Sequence, residues 1–227
     1  KGGEVINFPV IDIQARTLSA VELDYLQQLE SYDFVFFISR NAVNFALKLI
    51  NGKIDRLQGI CCVAVGKATK NSLVEYGIQQ SLVPVKGFNS EAVLDLNELQ
   101  NLSDKRCLIF RGLGGRELLA FGLRERGAQV DYMDVYQRVL PQQDVRQVSD
   151  YLLNKQLAAI LIYSGTALKN LLLLLAEPRV AECLLATPLV VISQRIATLA
   201  KQLGFKQIMI ATEASDIAMV EALLNGE

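Results

Sequence analysis

Two stretches of this chain repeat the same order of elements, and that repeat restricts the fold more than any single motif does. Phe36-Phe37-Ile38-Ser39-Arg40-Asn41-Ala42-Val43 matches Leu161-Ile162-Tyr163-Ser164-Gly165-Thr166-Ala167-Leu168, with Ser39 and Ser164 125 residues apart. Val63-Ala64-Val65-Gly66-Lys67-Ala68-Thr69, running on to Gly77-Ile78, matches Val190-Val191-Ile192-Ser193-Gln194-Arg195-Ile196, running on to Gly204-Phe205. Gly2-Gly3-Glu4-Val5 matches Gly127-Ala128-Gln129-Val130. A chain of 227 residues with such a period is expected to hold two similar units of one architecture.

Each repeated block runs from an apolar stretch through a Gly, Ser or Thr turn into a helical pattern. The apolar stretches are Val5–Ile13, Phe34–Ser39, Ile60–Gly66, Leu82–Val85, Cys107–Gly112, Val130–Leu140, Ala158–Ser164, Leu189–Ser193 and Ile208–Ala211. Such continuous runs suit strands buried on both faces, so the class is α/β, with parallel sheets flanked by helices. Helices are expected over Ala42–Leu49, Ala68–Tyr76, Glu117–Arg126 and Thr198–Leu203. The last three end at Gly77, Gly127 and Gly204, where glycine takes the left-handed turn without steric cost. Ser90-Glu91 and Ser215-Asp216 read as helix starts.

The third match has a consequence for domain organisation. Gly127 is preceded by a strand, Cys107–Gly112, and a helix, Glu117–Arg126. By symmetry, on the order of 20–35 residues forming a strand and a helix are expected ahead of Gly2 in the native protein. Residues 1–15 plus 140–227 would then form a first, discontinuous lobe, with 16–139 a second lobe inserted into it. The chain would cross between them near Gln14-Ala15-Arg16 and Val139-Leu140-Pro141.

Composition removes several function classes. With 23 Lys+Arg against 24 Asp+Glu the chain has no basic field for a phosphate backbone, so no nucleic-acid partner is expected. With no His, neither a Ser-His-Asp nor a Cys-His arrangement can form and the commonest metal ligand is absent, so any chemistry falls to Tyr, Lys, carboxylates, hydroxyls or backbone dipoles. Cys61, Cys62, Cys107 and Cys183 make neither a CxxC pair nor a zinc knuckle, and read as buried thiols of a reducing cytoplasm. Ser164-Gly165-Thr166 and Lys169-Asn170 cut the apolar region Leu157–Ala176 into a strand-sized and a helix-sized run, so no membrane span is expected.

Five junctions share the strand–turn–helix design: Ser39-Arg40-Asn41, Gly66-Lys67-Ala68-Thr69, Arg111-Gly112-Leu113-Gly114-Gly115-Arg116, Ser164-Gly165-Thr166 and Ser193-Gln194-Arg195. In a parallel sheet these turns lie at the carboxyl edge of the strands, where exposed amides and helix dipoles attract anions. Two such edges facing each other would make an anion-accepting cleft. Gly112-Leu113-Gly114-Gly115 is not GxGxxG, and Arg116 stands where a P-loop needs Lys-Ser/Thr. Ser39 and Ser164 lack a His or Ser-x-x-Lys partner, so they read as helix caps rather than nucleophiles. Arg40, Lys67, Arg111, Arg116 and Arg195 suit either a solvated surface or an anion contact. Tyr136 lies in a strand and by default packs half-buried; its place just before the second crossing makes it a candidate acid.

Taken together, Asp33–Val43, Ala64-Val65-Gly66-Lys67-Ala68-Thr69 through Gly77-Ile78, Arg111–Glu117 through Val130, and Asp134-Val135-Tyr136-Gln137-Arg138 resemble the uroporphyrinogen-III synthase family over nearly the whole chain. The resemblance implies two α/β lobes joined by two crossing segments, with the first lobe built from both chain ends. It implies a lyase of tetrapyrrole and heme biosynthesis that cyclises hydroxymethylbilane, a linear tetrapyrrole with eight carboxylates. Water is lost, an azafulvene forms, and ring D is inverted through a spiro-pyrrolenine, with no metal and no organic cofactor implied. The family's tyrosine, thought to assist departure of the hydroxyl, falls on Tyr136, and its serine positions fall on Ser39 and on Ser164 or Thr166. A cytoplasmic monomer that receives its substrate from hydroxymethylbilane synthase is expected.

There are departures from the family's pattern. Gly-x-x-Thr-Ala, common in both lobes, is kept near Gly66-Lys67-Ala68-Thr69 but replaced by Ser193-Gln194-Arg195-Ile196-Ala197 in the other lobe. Arg195 is the expected substitute, through a charge-assisted contact to a substrate carboxylate. The family's opening strand, with its Thr-Arg-Pro-like turn, has no counterpart within residues 1–227. The alternative function is a non-catalytic bilobed protein that binds a tetrapyrrole or small anion.

Overall fold

In a computed structural model that describes residues 3–225, the chain divides into two compact units. One is continuous, Ile13–Arg138, and the other is discontinuous, Lys1–Asp12 with Val139–Glu227.

The continuous unit holds β1 (Asp12–Ala15, overlapping its start), α1 (Ala20–Gln27), β2 (Phe34–Phe37), α2 (Arg40–Leu49), β3 (Cys61–Ala64), α3 (Lys67–Glu75), α4 (Ser90–Leu94), β4 (Arg106–Gly112), α5 (Leu118–Glu125) and β5 (Gln129–Val139). Its sheet runs β1-β5-β4-β2-β3. β2 pairs in parallel with β3 and β4, Phe37 standing beside Ala64 and Phe110. All three strands therefore end on one edge, and their following turns share it. Val35, Phe36 and Phe37 are fully buried, because helices cover both faces. One face packs Phe37, Val43, Leu47, Leu73 and Phe110; the other packs Phe36, Val63, Leu94, Ile109 and Leu123.

The discontinuous unit holds α6 (Arg146–Leu153), β6 (Ile160–Ile162), α7 (Gly165–Leu174), α8 (Pro178–Ala186), β7 (Leu189–Val191), α9 (Gln194–Gln202), β8 (Ile208–Ile210) and α10 (Asp216–Asn225). Its three strands are parallel in the order β6-β7-β8. Residues 3–11 run beside this unit without forming a strand. Gln143 Nε2 and Asn170 Nδ2 donate to the carbonyls of Pro9 and Val10, each at 2.7 Å.

Most expected elements form with their ends displaced by a few residues, α2 and α9 starting earlier than expected, while four expectations are corrected. Val5–Ile13 yields a strand only from Asp12, since an apolar run needs a neighbour to supply its ladder. Leu82–Val85 shrinks to one bridge, Leu82 with Val63. The helix expected to be capped by Ser90 is capped one residue earlier, where Asn89 Oδ1 accepts the Ala92 N–H at 2.9 Å. Cys62 and Cys107 are buried and burial pushes each thiol up to about 12, but Cys61 and Cys183 are only partly buried.

Candidate functional site

The repeated turns share one backbone geometry. Ser39 (φ −164°, ψ 164°) and Ser164 (φ −153°, ψ 152°) are extended residues at the starts of α2 and α7. Their Oγ atoms accept the Ala42 and Ala167 N–H groups at 3.1 and 3.0 Å. Gly66 (φ −160°, ψ 171°) and Ser193 (φ −164°, ψ 154°) hold the same position ahead of α3 and α9, but neither gives a side-chain cap. The first turns of α3 and α9 thus lack the side-chain acceptor that α2 and α7 supply for themselves, and their Thr69 and Ile196 N–H groups turn back to the Gly66 and Ser193 carbonyls at 3.0 and 3.1 Å. Each unit pairs one self-capped turn with one uncapped turn on its carboxyl edge, β2 beside β3 and β6 beside β7.

Around these turns the charged candidates separate by exposure. Arg40, Lys67, Arg116 and Arg195 are exposed, as are Ala68 and Thr166; Asn41, Gly115 and Gly165 are half-buried. None of these four cations has an ion pair among the described residues, and Lys67 Nζ lies 5.8 Å over the Phe88 ring. Arg111 is different. Its Nε donates to Asp134 at 2.8 Å and its Nη1 to Glu117 at 2.9 Å, while the guanidinium lies 3.5 Å over the Tyr132 ring. Tyr132 in turn donates to Glu117 at 2.6 Å, and its phenol is pushed up to about 12, first by burial and then by that carboxylate. These partners use the Arg111 guanidinium inside the fold, so it serves as the pier of the loop rather than as a free anion contact. Beyond Asp134 the charges continue: the Glu22 carboxylate accepts from the Asp134 N–H and from Arg16 at 3.3 and 2.6 Å.

A register shift between Arg111 and Gly112 places Tyr136 opposite Gly112, with Val135 passed over. The Tyr136 ring fills the space a Gly112 side chain would occupy, and it stacks on Phe45 with centroids 5.7 Å apart. It is 1% exposed, not half-buried as the sequence suggests. Its hydroxyl meets Ser39 Oγ at 3.2 Å, the same oxygen that caps α2, and Arg138 Nη2 at 3.5 Å. Ser39 is half-buried, so the phenol meets the carboxyl edge through the serine.

Thr69 is buried at the start of α3, 5% exposed. A cavity of about 210 Å³ at the same edge is lined by Phe88, Asn89, Ser90, Arg111, Arg116 and Tyr132, among others. Sequence reasoning names none of Phe88, Asn89, Ser90 and Arg138 as a site residue; it reads Ser90 only as a helix start and Arg138 only as part of the family's pattern. Phe88, an aromatic between Gly87 and Asn89 just after the expected strand Leu82–Val85, is the one signal the sequence offers there. Among the described residues no group of three or more His, Cys, Asp or Glu could hold a metal ion, and no helix is long and apolar enough to cross a membrane.

Known proteins resemble this arrangement throughout its length. The family described as "Uroporphyrinogen-III synthase HemD" matches residues 1–221. The uroporphyrinogen-III synthase of Escherichia coli K12 is 33% identical over 220 residues, covering 96% of this chain and 89% of that protein. That of Salmonella typhimurium LT2 is 33% identical over 219 residues, with the same coverage of 96% and 89%. The crystal structure of uroporphyrinogen-III synthetase from Helicobacter pylori 26695 matches with a TM-score of 0.65 at 18% identity, over 96% of this chain and 91% of that one. A mutant uroporphyrinogen III synthase from Thermus thermophilus matches with a TM-score of 0.53 at 18% identity, over 96% and 87%, a likeness of fold. With its paired strand–turn–helix edges and a family match spanning nearly every residue, the chain belongs to the uroporphyrinogen-III synthase family.

Proposed function

We propose that this chain is a uroporphyrinogen-III synthase, a lyase that closes hydroxymethylbilane to uroporphyrinogen III with loss of water and inversion of ring D. The observation that carries the reading is the pair of uncapped helix starts at Gly66 and Ser193, repeated in both units beside a serine-capped one. Such amides bind carboxylates without a large positive charge, as a chain of net charge −1 must do for a substrate with eight of them. Arg40, Lys67 and Arg116 in the continuous unit and Arg195 in the discontinuous one add charge-assisted contacts to acetate and propionate groups. Asn41, Ala68, Thr69, Gly112, Gly115, Ser164, Gly165 and Thr166 shape the turns that receive them.

In this reading Tyr136 supplies the proton that leaves with the hydroxyl. Because the phenol is 1% exposed and meets Ser39 Oγ at 3.2 Å, the proton passes to Ser39 as the serine gives its own to the substrate oxygen. The C–O bond then breaks, water departs, and the pyrrole nitrogen's electron pair forms the azafulvenium; the Tyr136 phenolate regains its proton through Ser39 when ring D gives up its α-hydrogen in the final closure. Ring closure through the spiro intermediate depends on holding the bilane in one conformation, which the turns supply. We also infer a cytoplasmic monomer that takes its substrate from hydroxymethylbilane synthase.

The test is product isomer composition. Hydroxymethylbilane closes unaided to the type I isomer, so an excess of uroporphyrin III over a protein-free control, after oxidation and chromatography, supports the synthase. Type I alone from folded protein rejects it and favours a tetrapyrrole binder. Sedimentation at several concentrations tests the monomer.

A further inference from the structure

The side chains of β5 change face in mid-strand. In a regular strand they alternate between the two faces of the sheet, so residues two apart share one. Val130 and Tyr132 pack on the face of Ile109 and Leu119, and Asp134 meets Arg111 on that same face. Met133 and Val135 pack on the other, with Phe37, Phe110 and Val43 of α2. Strict alternation would send Tyr136 to the face of Tyr132 and Asp134. Instead Val135 and Tyr136, neighbours in sequence, both pack on the α2 face, 2% and 1% exposed. The register shift after Arg111 turns the phenol over, since a slip of one residue exchanges the faces. Without it the hydroxyl would stand across the sheet from Ser39.

One side chain marks the boundary of the shift. Arg111 and Asp134 are the last pair in the regular register, and Gly112 already stands beside Tyr136. Arg111, 8% exposed, joins that last pair through its Nε, which donates to Asp134 at 2.8 Å. Its Nη1 reaches Glu117 at 2.9 Å, and the guanidinium lies 3.5 Å over the Tyr132 ring, so one planar group grips β5 at two residues and the start of α5 at a third. On the opposite edge of β5 the Arg16 N–H donates to the carbonyl of Val135, the residue passed over, at 3.3 Å. Past the shift the Leu113 N–H donates to the Tyr136 carbonyl at 2.8 Å. Burial of the Tyr136 ring favours the α2 face but has no direction, so it does not fix the ring's height along the strand as a 3.2 Å contact with Ser39 requires. A fork of charged hydrogen bonds has direction.

We propose that Arg111 is a positioning residue for Tyr136: by clamping Asp134 at the last in-register pair it fixes where β5 slips, and so aims the phenol at Ser39. This role rests on the proton path proposed above, in which Arg111 itself meets no substrate.

Two variants remove the clamp in different ways. Arg111→Met keeps the stem without the guanidinium, and Arg111→Lys keeps a cation that meets one carboxylate but not both. If Arg111→Met, which leaves Asp134 without its partner, does not fold, Arg111→Lys carries both readings. The first reading is NMR of protein whose tyrosines are isotopically labelled at Cζ, with the Tyr136 resonance assigned by its absence in Tyr136→Phe. Ser39→Ala gives the displacement of that resonance when the phenol loses its partner, and the Arg111 variants are expected to displace it in the same direction. The second reading is the initial rate of type III formation. Here kcat is expected to fall about tenfold or more with KM within about twofold, since a misplaced group can cost up to about 10²-fold. In a Tyr136→Phe background the same substitutions are expected to change kcat by less than about twofold. A role confined to stability would lower the folded fraction and leave kcat per folded molecule and the resonance where they are. An unmoved resonance in a folded variant, a loss that falls on KM, or an equal loss of kcat in the Tyr136→Phe background would each overturn the proposal. If the unsubstituted chain forms no type III isomer, the proposed reaction fails, and the resonance alone decides whether Arg111 places the phenol.

Discussion

Replacing Gly112 with alanine tests the packing that holds the candidate acid. A Cβ on Gly112 would lie 2.5 Å from Cε2 and Cζ of Tyr136 and 2.9 Å from its hydroxyl oxygen. Carbon atoms in contact sit at about 3.5–4.0 Å, so something must move by roughly 1 Å. The ring has no room to do so, being 1% exposed and stacked on Phe45. Overpacking of this kind costs about 1–3 kcal/mol, and a rigid buried ring puts Gly112→Ala in the upper half of that range. Gly122→Ala has the same nominal overlap, 2.5 Å to Leu94 Cδ1, but meets the end of a flexible side chain. It also gains about 0.5–1 kcal/mol of helix stability, so its net effect is within about 1 kcal/mol of zero. The chain has no Trp, so urea unfolding is followed by circular dichroism. With a slope of roughly 1–3 kcal/mol per molar, Gly112→Ala should lower the midpoint of the continuous unit's transition by about 1 M and leave the slope unchanged. Adding Tyr136→Leu should return part of that loss, because the two residues share one volume. Equal midpoints for the two alanine variants, or strict additivity of Gly112→Ala with Tyr136→Leu, would refute the steric account.

Tyr136→Phe and Ser39→Ala should each lower the initial rate of type III formation by about 10²-fold, and the double variant should fall no further than the worse single. Independent losses that multiply would show that phenol and serine do not share one proton path. Burial alone raises the Glu22 carboxyl, but hydrogen bonds from Ser19, Arg16 and the Asp134 N–H outweigh it and hold the group below its ordinary 4.5. Stability from Glu22 is therefore present above about pH 4.5 and is lost as pH falls through the lower folded value. Urea midpoints should be flat from neutral pH to about 5 and decline below, and Glu22→Gln should make that decline shallower; an identical decline in the variant would count against it. Arg195→Ala should raise KM for hydroxymethylbilane about five- to tenfold with kcat little changed, the loss of one exposed charge-assisted hydrogen bond. An unaltered KM would leave Arg195 as a solvated surface residue.

What could be read from the sequence was whatever the chain writes with small residues. Ser39, Gly66, Ser164 and Ser193 mark the turns because an extended residue must precede each helix, and the repeat preserved that marking while the helices diverged. α1 announces itself by Ser19 and Glu22, which form a capping box, yet its apolar positions are too irregular to read as a helical face. α8 likewise starts with Glu177 capping and Pro178 in the first turn, inside a stretch that periodicity alone does not divide. Partner choice was not legible at all. Arg111 and Arg116 stand five residues apart in one glycine-rich loop, and only the pairing of β4 with β5 turns the first inward onto Asp134 and leaves the second exposed. The same pairing, through one passed-over residue, takes Tyr136 from an ordinary strand position to full burial.

The uncapped turns at Gly66 and Ser193 also bear on kinetics. A field made of amide dipoles fades within about one helical turn, whereas lysine and arginine fields reach a Debye length of roughly 8–10 Å. With net charge −1 the chain has no overall attraction for a polyanion, so any steering must come from the exposed Arg40, Lys67, Arg116 and Arg195 within that length, while amides act only on a ligand already in place. On the proposed reading, raising ionic strength should slow capture of the substrate more than it speeds its release.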